Sequence, residues 1–343
     1  MCNIAGYVGD KNAAPILMKM ILAQEGLDAG FFSGLAVHDG TRISYRKTKG
    51  DFGTLLRETD AEKLIGKTGI IHGRTPSGGD ASWAHPFVTE KDGEIQICYV
   101  ANGSYGKFRP YREAFDRIAD SLEADGYTIP CKIYANMPQY NHVAGGASVH
   151  ISDIMCQLIS RYKDHGADTA EAMAKAFIEM PSEIVGLVLD KDAPDRIYYS
   201  RINMPMFVGF DADGAYLASC PSALPDSVTS YKLLPALSSG VVYKDRVETV
   251  KFPQFARKVR GFNRISEENA KKAVLARLSE GEADINELRA AIVGKKKTED
   301  LLQTEPLAYL VLTELLHEGK VKEIHGTWEV GGQIAPKIRF ASV

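Results

Sequence analysis

"MCNIAGYVGD" (1–10) is the stretch on which the reading of the chain turns. Cysteine is small enough for the preceding Met1 to be removed, which leaves Cys2 as the first residue. A thiol and a free α-amino group then sit on one amino acid, a nucleophile with a base beside it. The residues that follow, "NIAGYVG" (3–9), have the apolar character of a strand. The plainer alternative is a strand whose second residue is a cysteine by chance, and residues further along decide between the two.

The chain has 343 residues, room for two domains, with 45% hydrophobic and 25% charged residues, ordinary values for a globular protein. Its formal net charge of −3 gives no reason to expect nucleic acid or a membrane as partner. No apolar run approaches the roughly 20 residues of a membrane span, and the N-terminus lacks a basic-then-apolar signal. Cys2, Cys98, Cys131, Cys156 and Cys220 are odd in number, scattered and free of CxxC spacing. That pattern predicts reduced thiols in a cytoplasm and argues against disulfides or a structural zinc. The histidines show no HxxxH or HxH spacing either, so neither a metal nor a cofactor is expected.

Strand patterns occur at "GLAVHDG", "EIQICYVANG", "EIVGLVLD", "RIYYSR", "MFVGF" and "AYLAS". Helical periodicity marks "PILMKMILAQE", "YREAFDRIADSLEADG" and "SDIMCQLISRYK", the last with Ser152 as N-cap. Strands and helices cluster instead of alternating, which predicts a layered α+β fold. Residues 129–150 are turn-rich and read as an excursion or lid. Beyond about residue 255 come three helical stretches, with Ser266 and Thr304 as caps. Two or three short strands follow around Gly326 and Gly331-Gly332. Helices before a glycine-tipped hairpin predict a small winged-helix-like domain over 253–343. The helix before the hairpin carries no Lys or Arg from Leu301 to His317, so docking or dimerisation suits it better than DNA reading. Lys295-Lys296-Lys297 read as a solvated turn.

Three later stretches bear on Cys2. "GIIHGRTPSGGDASWAHPF" (69–87) runs a strand into a glycine-rich loop holding Arg74. "VANGSYGKF" (100–108) ends a strand at Asn102-Gly103, and "HISDIMCQLI" (150–159) puts Asp153 in the first turn of a helix. Taken with the N-terminal cysteine, their order and spacing resemble the class II glutamine amidotransferases. These are N-terminal-nucleophile hydrolases, and the nearest resemblance is to the glutaminase half of glucosamine-6-phosphate synthase. The resemblance covers roughly residues 2–250.

It implies a four-layer αββα domain over 1–252 and a reaction that releases ammonia from L-glutamine. Cys2 matches the family nucleophile, and its α-amino group would shuttle protons. Asn102 and the Gly103 N–H match the oxyanion hole. Arg74 matches the fork that grips the α-carboxylate, with Ser77 and the Gly78-Gly79 backbone beside it. Asp153 is either the ligand of the α-ammonium or a carboxylate favoured by the helix dipole; alignment on Leu158-Ile159 puts Ile151 at the family position. His85 reads as a brace for the loop, and Cys98 as a core residue. The chain departs from the family at Thr75-Pro76-Ser77-Gly78, where Trp-Ala-Thr-His is usual, and at Ala29-Gly30-Phe31, where Arg-Gly-Tyr is usual.

Nothing in 255–343 is long enough for a pair of sugar-phosphate isomerase domains, so the ammonia acceptor is expected on a separate synthase subunit. The expected assembly is a homo-oligomer. Two other functions compete: a non-catalytic glutamine sensor acting through the winged helix, and an N-terminal-nucleophile hydrolase of another amide. Intact-mass analysis of the native protein should show Met1 absent and Cys2 selectively alkylated by a diazo-ketone glutamine analogue. Retained Met1, or label only on Cys98 or Cys220, would remove Cys2 as nucleophile.

Overall fold

The computed structural model describes residues 2–135, 137–252, 262–263, 265–294 and 301–343. The first elements are β1 (Asn3–Gly9), α1 (Ala13–Leu22), β2 (Phe32–His38), β3 (Ile43–Thr48), α2 (Phe52–Glu58) and β4 (Thr68–Arg74). β5 (Phe87–Lys91), β6 (Glu94–Ser104), α3 (Arg112–Ala124), β7 (Asn141–His142), β8 (Ser148–Val149), α4 (Ile151–Asp164) and α5 (Thr169–Glu179) follow. Next come β9 (Glu183–Asp190), β10 (Arg196–Arg201), β11 (Phe207–Phe210), β12 (Gly214–Ala218), β13 (Tyr231–Leu233), β14 (Ser238–Tyr243) and β15 (Val247–Lys251). The last group is β16 (Phe262–Asn263), α6 (Glu267–Ser279), α7 (Ile285–Val293), β17 (Leu301–Leu302), α8 (Thr304–His317), β18 (Val321–Val330) and β19 (Gln333–Ser342).

Two antiparallel sheets carry the frame, ordered β13-β11-β12-β1-β4-β2-β3 and β15-β14-β10-β9-β6-β5. Because side chains alternate along a strand, each sheet offers one face to its partner and one to helices. Ile4, Val8, Ala36 and Ile70 of the first sheet meet Cys98, Val100, Val185, Leu187 and Ile197 of the second in a dry core. On the other face of the first sheet, Ala5, Tyr7, Leu35 and Ile71 pack against Ala13, Leu17 and Ile21 of α1 and Phe52 and Leu55 of α2. On the other face of the second, Tyr99 and Val188 pack against Phe115 of α3, Ile154 and Leu158 of α4 and Phe177 of α5. The layering is therefore helices, sheet, sheet, helices. Among the described residues no helix is long and apolar enough to cross a membrane.

A fourth core joins Val274, Leu288, Leu312 and Leu315 of the last three helices to Val321, Ile338 and Phe340 of the final hairpin. Ala283 and Phe340 exchange two backbone hydrogen bonds (3.0 and 2.8 Å), tying the α6–α7 connection to β19. Where short strands were expected the hairpin has two of ten residues each. Gly326 does not interrupt it, because the ladder needs only backbone and Gly326 pairs with Lys337. Gly331 and Gly332 form the turn with φ of 60° and 78°, the left-handed pair that a two-residue hairpin favours.

Ser266 caps α6 by accepting from the Asn269 N–H at 3.2 Å. Two other caps shift by one or two residues. α4 starts at Ile151, and the ring of His150 accepts from the Ser152 N–H at 3.1 Å, so the imidazole takes the role expected of the serine hydroxyl. α8 already includes Thr304, and Gln303 precedes it. Lys295–Lys297 lie outside the described residues.

Candidate active site

Parity places the site. Cys2 follows the alternation of Ile4 and Val8, and His72 and Arg74 follow that of Ile70, so all three side chains belong to the inter-sheet face of the first sheet. The pairing of Ile4 with His72 and of Asn3 with Gly73 brings the start of β1 beside the end of β4. Across the seam, Cys98 and Val100 point inward along β6, and Asn102 continues that series.

Cys2 is half-buried, with its sulfur 3.9 Å from Thr75 Oγ1. Burial pushes its thiol up, but the His72 ring and the Thr75 backbone N–H pull it down to about 6. His72 is fully buried and its Nε2 lies 2.9 Å from Ala101 O. A carbonyl only accepts, so Nε2 carries the hydrogen and the tautomer is set by β6. The His85 ring lies 3.8 Å from that of His72. Burial, with the charges of Arg74 and Lys47 adding to it, keeps His85 well below the usual imidazole range and hence neutral. Lys47 braces the same turn, donating to Ser82 O, Ala84 O and Pro86 O at 3.0 to 3.1 Å.

Asn102 has no exposure, and among the described residues neither atom of its amide has a hydrogen-bond partner. An unpaired buried amide is costly and calls for a reason. Gly103 sits beside it at φ 134°, where a Cβ would meet Glu183 O at 2.1 Å, so β9 leaves room only for glycine.

Arg74 is 1% exposed. Its guanidinium lies 4.5 Å from the centre of the Phe32 ring and 5.7 Å from that of Trp83. Nη1 donates to Gly78 O and Nη2 to Tyr140 Oη, each at 2.8 Å. Ser77 presents its carbonyl to Tyr140, and its hydroxyl lies 3.4 Å from that of Thr75. The loop thus faces Arg74 with acceptors. Asp153 stands in the first turn of α4, wholly buried, accepting from the Cys131 N–H and from Gln157 Nε2 at 3.1 Å each. Burial raises its carboxyl. Its described bonds therefore run to the excursion and its own helix. Cys98, Cys131, Cys156 and Cys220 are buried, and burial raises each thiol.

The structure thus brings Cys2, Arg74, Asn102 and Gly103 to one seam. His72 and Tyr140 join it unannounced. His72 was legible as the residue two before Arg74, hence on the same strand face, whereas no local pattern singles out Tyr140.

No protein-family model matches the chain. It is 26% identical over 263 residues to the glutamine–fructose-6-phosphate aminotransferase (isomerizing) of Caldanaerobacter subterraneus subsp. tengcongensis, covering 76% of this chain and 38% of that one. The protein of the same name from Clostridium tetani is 27% identical over 252 residues, with coverage of 72% and 36%. The chain therefore spans little more than a third of these relatives. Among solved structures, the glutamine phosphoribosylpyrophosphate amidotransferase from B. subtilis superposes with a TM-score of 0.59 at 15% identity, over 81% of this chain and 58% of that one. The chain thus resembles the class II glutamine amidotransferases in sequence and shares the fold of the B. subtilis enzyme.

Alkylation of Cys2 by iodoacetamide should rise through a midpoint near pH 6, because the thiolate is the reacting form and its pKa is lowered to about 6. His72→Asn should move the midpoint upward, since the ring lowers it. A midpoint that stays put in the variant would show that His72 does not act on the thiol.

Proposed function

We propose that this amidotransferase-type chain hydrolyses the side-chain amide of L-glutamine to glutamate and ammonia through a thioester on Cys2. The ammonia passes to a separate acceptor or synthase subunit. One observation carries the reading: a thiol lowered to about 6 shares one seam with a buried carboxamide and a buried guanidinium that, among the described residues, have no partner and no acidic partner respectively. The names of the sequence relatives, which contain glutamine, support the choice of substrate.

In this reading Cys2 Sγ attacks the carboxamide carbon, and negative charge gathers on the carbonyl oxygen. Asn102 Nδ2 and the Gly103 N–H donate to that oxygen. The C–N bond breaks as the α-amino group of Cys2, freed by loss of Met1, gives a proton to the leaving nitrogen. Water opens the thioester, releasing glutamate and restoring the thiol. Arg74 holds the α-carboxylate as a planar fork within the Ser77-Gly78 loop. Asp153 serves the α-ammonium by exchanging its bond with Gln157 for one to the substrate.

We assign 1–252 to the glutaminase domain and 253–343 to a winged-helix-like domain; the last three helices and the hairpin share a core, which also takes in Leu27, Phe207 and Cys220. That domain serves docking in a homo-oligomer or with the synthase. The five free cysteines suit a reducing cytoplasm. One observation favours a glutamine sensor as second reading: the fork of Arg74 is already filled by Gly78 O and Tyr140 Oη. Steady turnover of glutamine by the protein lacking Met1 separates the two.

Arg74→Lys keeps the charge and loses the fork, so glutamine KM should rise, with a loss of about 2–4 kcal/mol in kcat/KM. An unchanged KM would place the carboxylate elsewhere. Asn102→Ala removes a donor aimed at charge that develops only in the tetrahedral intermediate. Turnover should fall roughly 10²–10³-fold with little change in glutamine binding. The thermal midpoint is measured alongside, and a folded variant turning over at the wild-type rate would reduce Asn102-Gly103 to a turn.

A further inference from the structure

The excursion between α3 and α4 belongs to neither large sheet, yet it reaches the loop that follows β4. Tyr140 is 8% exposed; its hydroxyl accepts from Arg74 Nη2 at 2.8 Å and donates to Ser77 O at 2.6 Å. Its ring stands edge-on to Trp83 with centroids 4.5 Å apart. A Cβ on Gly78 would lie 2.7 Å from Met137 Cε, so the methionine covers the residue whose carbonyl takes the other arginine bond.

This strap is tied down at several points. The Trp83 indole donates to Cys131 O. Ile133 and Ser148 exchange backbone hydrogen bonds of 3.0 and 2.8 Å. Asp116 of α3 accepts from Asn141 Nδ2 at 2.6 Å and from the His142 N–H at 2.9 Å. Tyr140 is therefore held over Arg74 by elements on both sides.

Arg74 is a buried cation whose two terminal nitrogens are satisfied by neutral oxygens, and among the described residues it has no acidic partner. A carboxylate would bind more strongly than either oxygen, since it adds an opposite charge and two parallel acceptors to bonds in which the guanidinium is the only charge. It gains both terminal nitrogens only when Gly78 O and Tyr140 yield. The Tyr140 hydroxyl bonds to both the arginine and the loop, so displacing it releases both.

We propose that Tyr140 is a positioning residue that latches the carboxylate-binding arginine, and that an α-carboxylate ligand opens the site by displacing its hydroxyl from Arg74. The latch confers specificity, because only a charged acceptor outcompetes the two neutral oxygens. It rests on the reading of Arg74 as the α-carboxylate fork.

Tyr140→Phe keeps the ring on Trp83 and removes only the hydroxyl. Calorimetric titration of the full chain with L-glutamate should show binding tighter by roughly three- to tenfold in the variant, the net effect of one hydrogen bond. A residue of merely structural importance would loosen binding when altered. Weaker binding would make Tyr140 itself a ligand of the carboxylate, and unchanged binding would show that the hydroxyl does not compete; either overturns the latch. Arg74→Lys is titrated in parallel. If it binds glutamate as tightly as the wild type, the arginine reading fails and the latch falls with it. If it binds more weakly while Tyr140→Phe shows no gain, the latch alone falls.

Discussion

The site depends on the alternation of side chains along β1, β4 and β6. β1 is paired on both sides, with β4 and with β12, and both of its faces are buried. A slip of one residue would exchange Ala5 and Tyr7 with Ile4 and Val8 between two differently shaped cores, a change of volume that close packing does not absorb. The same slip would turn Cys2 away from the seam. Register is therefore held by apolar packing, and the polar residues inherit their places from it.

Within the seam the electrostatics run one way. Lys47 and Arg74 spend their hydrogen bonds on carbonyl and hydroxyl oxygens, and His72 bonds a carbonyl. Burial lowers the Lys47 ammonium, and neighbouring positive charge adds to burial in holding His85 neutral. The His72 ring and the Thr75 N–H bring the Cys2 thiol down to about 6. Among the described residues Arg74 meets no acid, whereas Lys47 feels the buried Asp153, so the arginine end of the seam is the part that favours an anion.

The C-terminal hairpin touches this arrangement from outside. Trp328 stands edge-on to Phe31 at 5.3 Å, and Gln333 Nε2 donates to Phe31 O at 2.8 Å. The next residue, Phe32, lies under the Arg74 guanidinium at 4.5 Å. Two consecutive aromatic residues thus separate the hairpin from the arginine. The first of them, Phe31, falls in the stretch where the amidotransferase family commonly carries Arg-Gly-Tyr, so the departure noted at Ala29-Gly30-Phe31 coincides with a packing surface for the C-terminal hairpin.

By itself the sequence determined the strands, because apolar runs such as "NIAGYVG", "EIVGLVLD" and "RIYYSR" are a local property, and strands buried on two faces read as such runs. It also marked Cys2, Arg74, Asn102 and Gly103, through the order and spacing that resemble the amidotransferase family. The caps at His150 and Gln303 and the full length of the last hairpin escaped it, because a cap depends on where a helix begins and a ladder on its partner strand. Only the tertiary structure decided that His72 bonds Ala101, that Asp153 turns to Cys131 and Gln157, and that Tyr140 closes on Arg74. Apart from the Asp153–Gln157 bond within α4, each of these joins residues from different elements, between 22 and 66 positions apart. No periodicity along the chain encodes such contacts, since they arise only when two sheets face each other and a turn-rich excursion folds back over their edge.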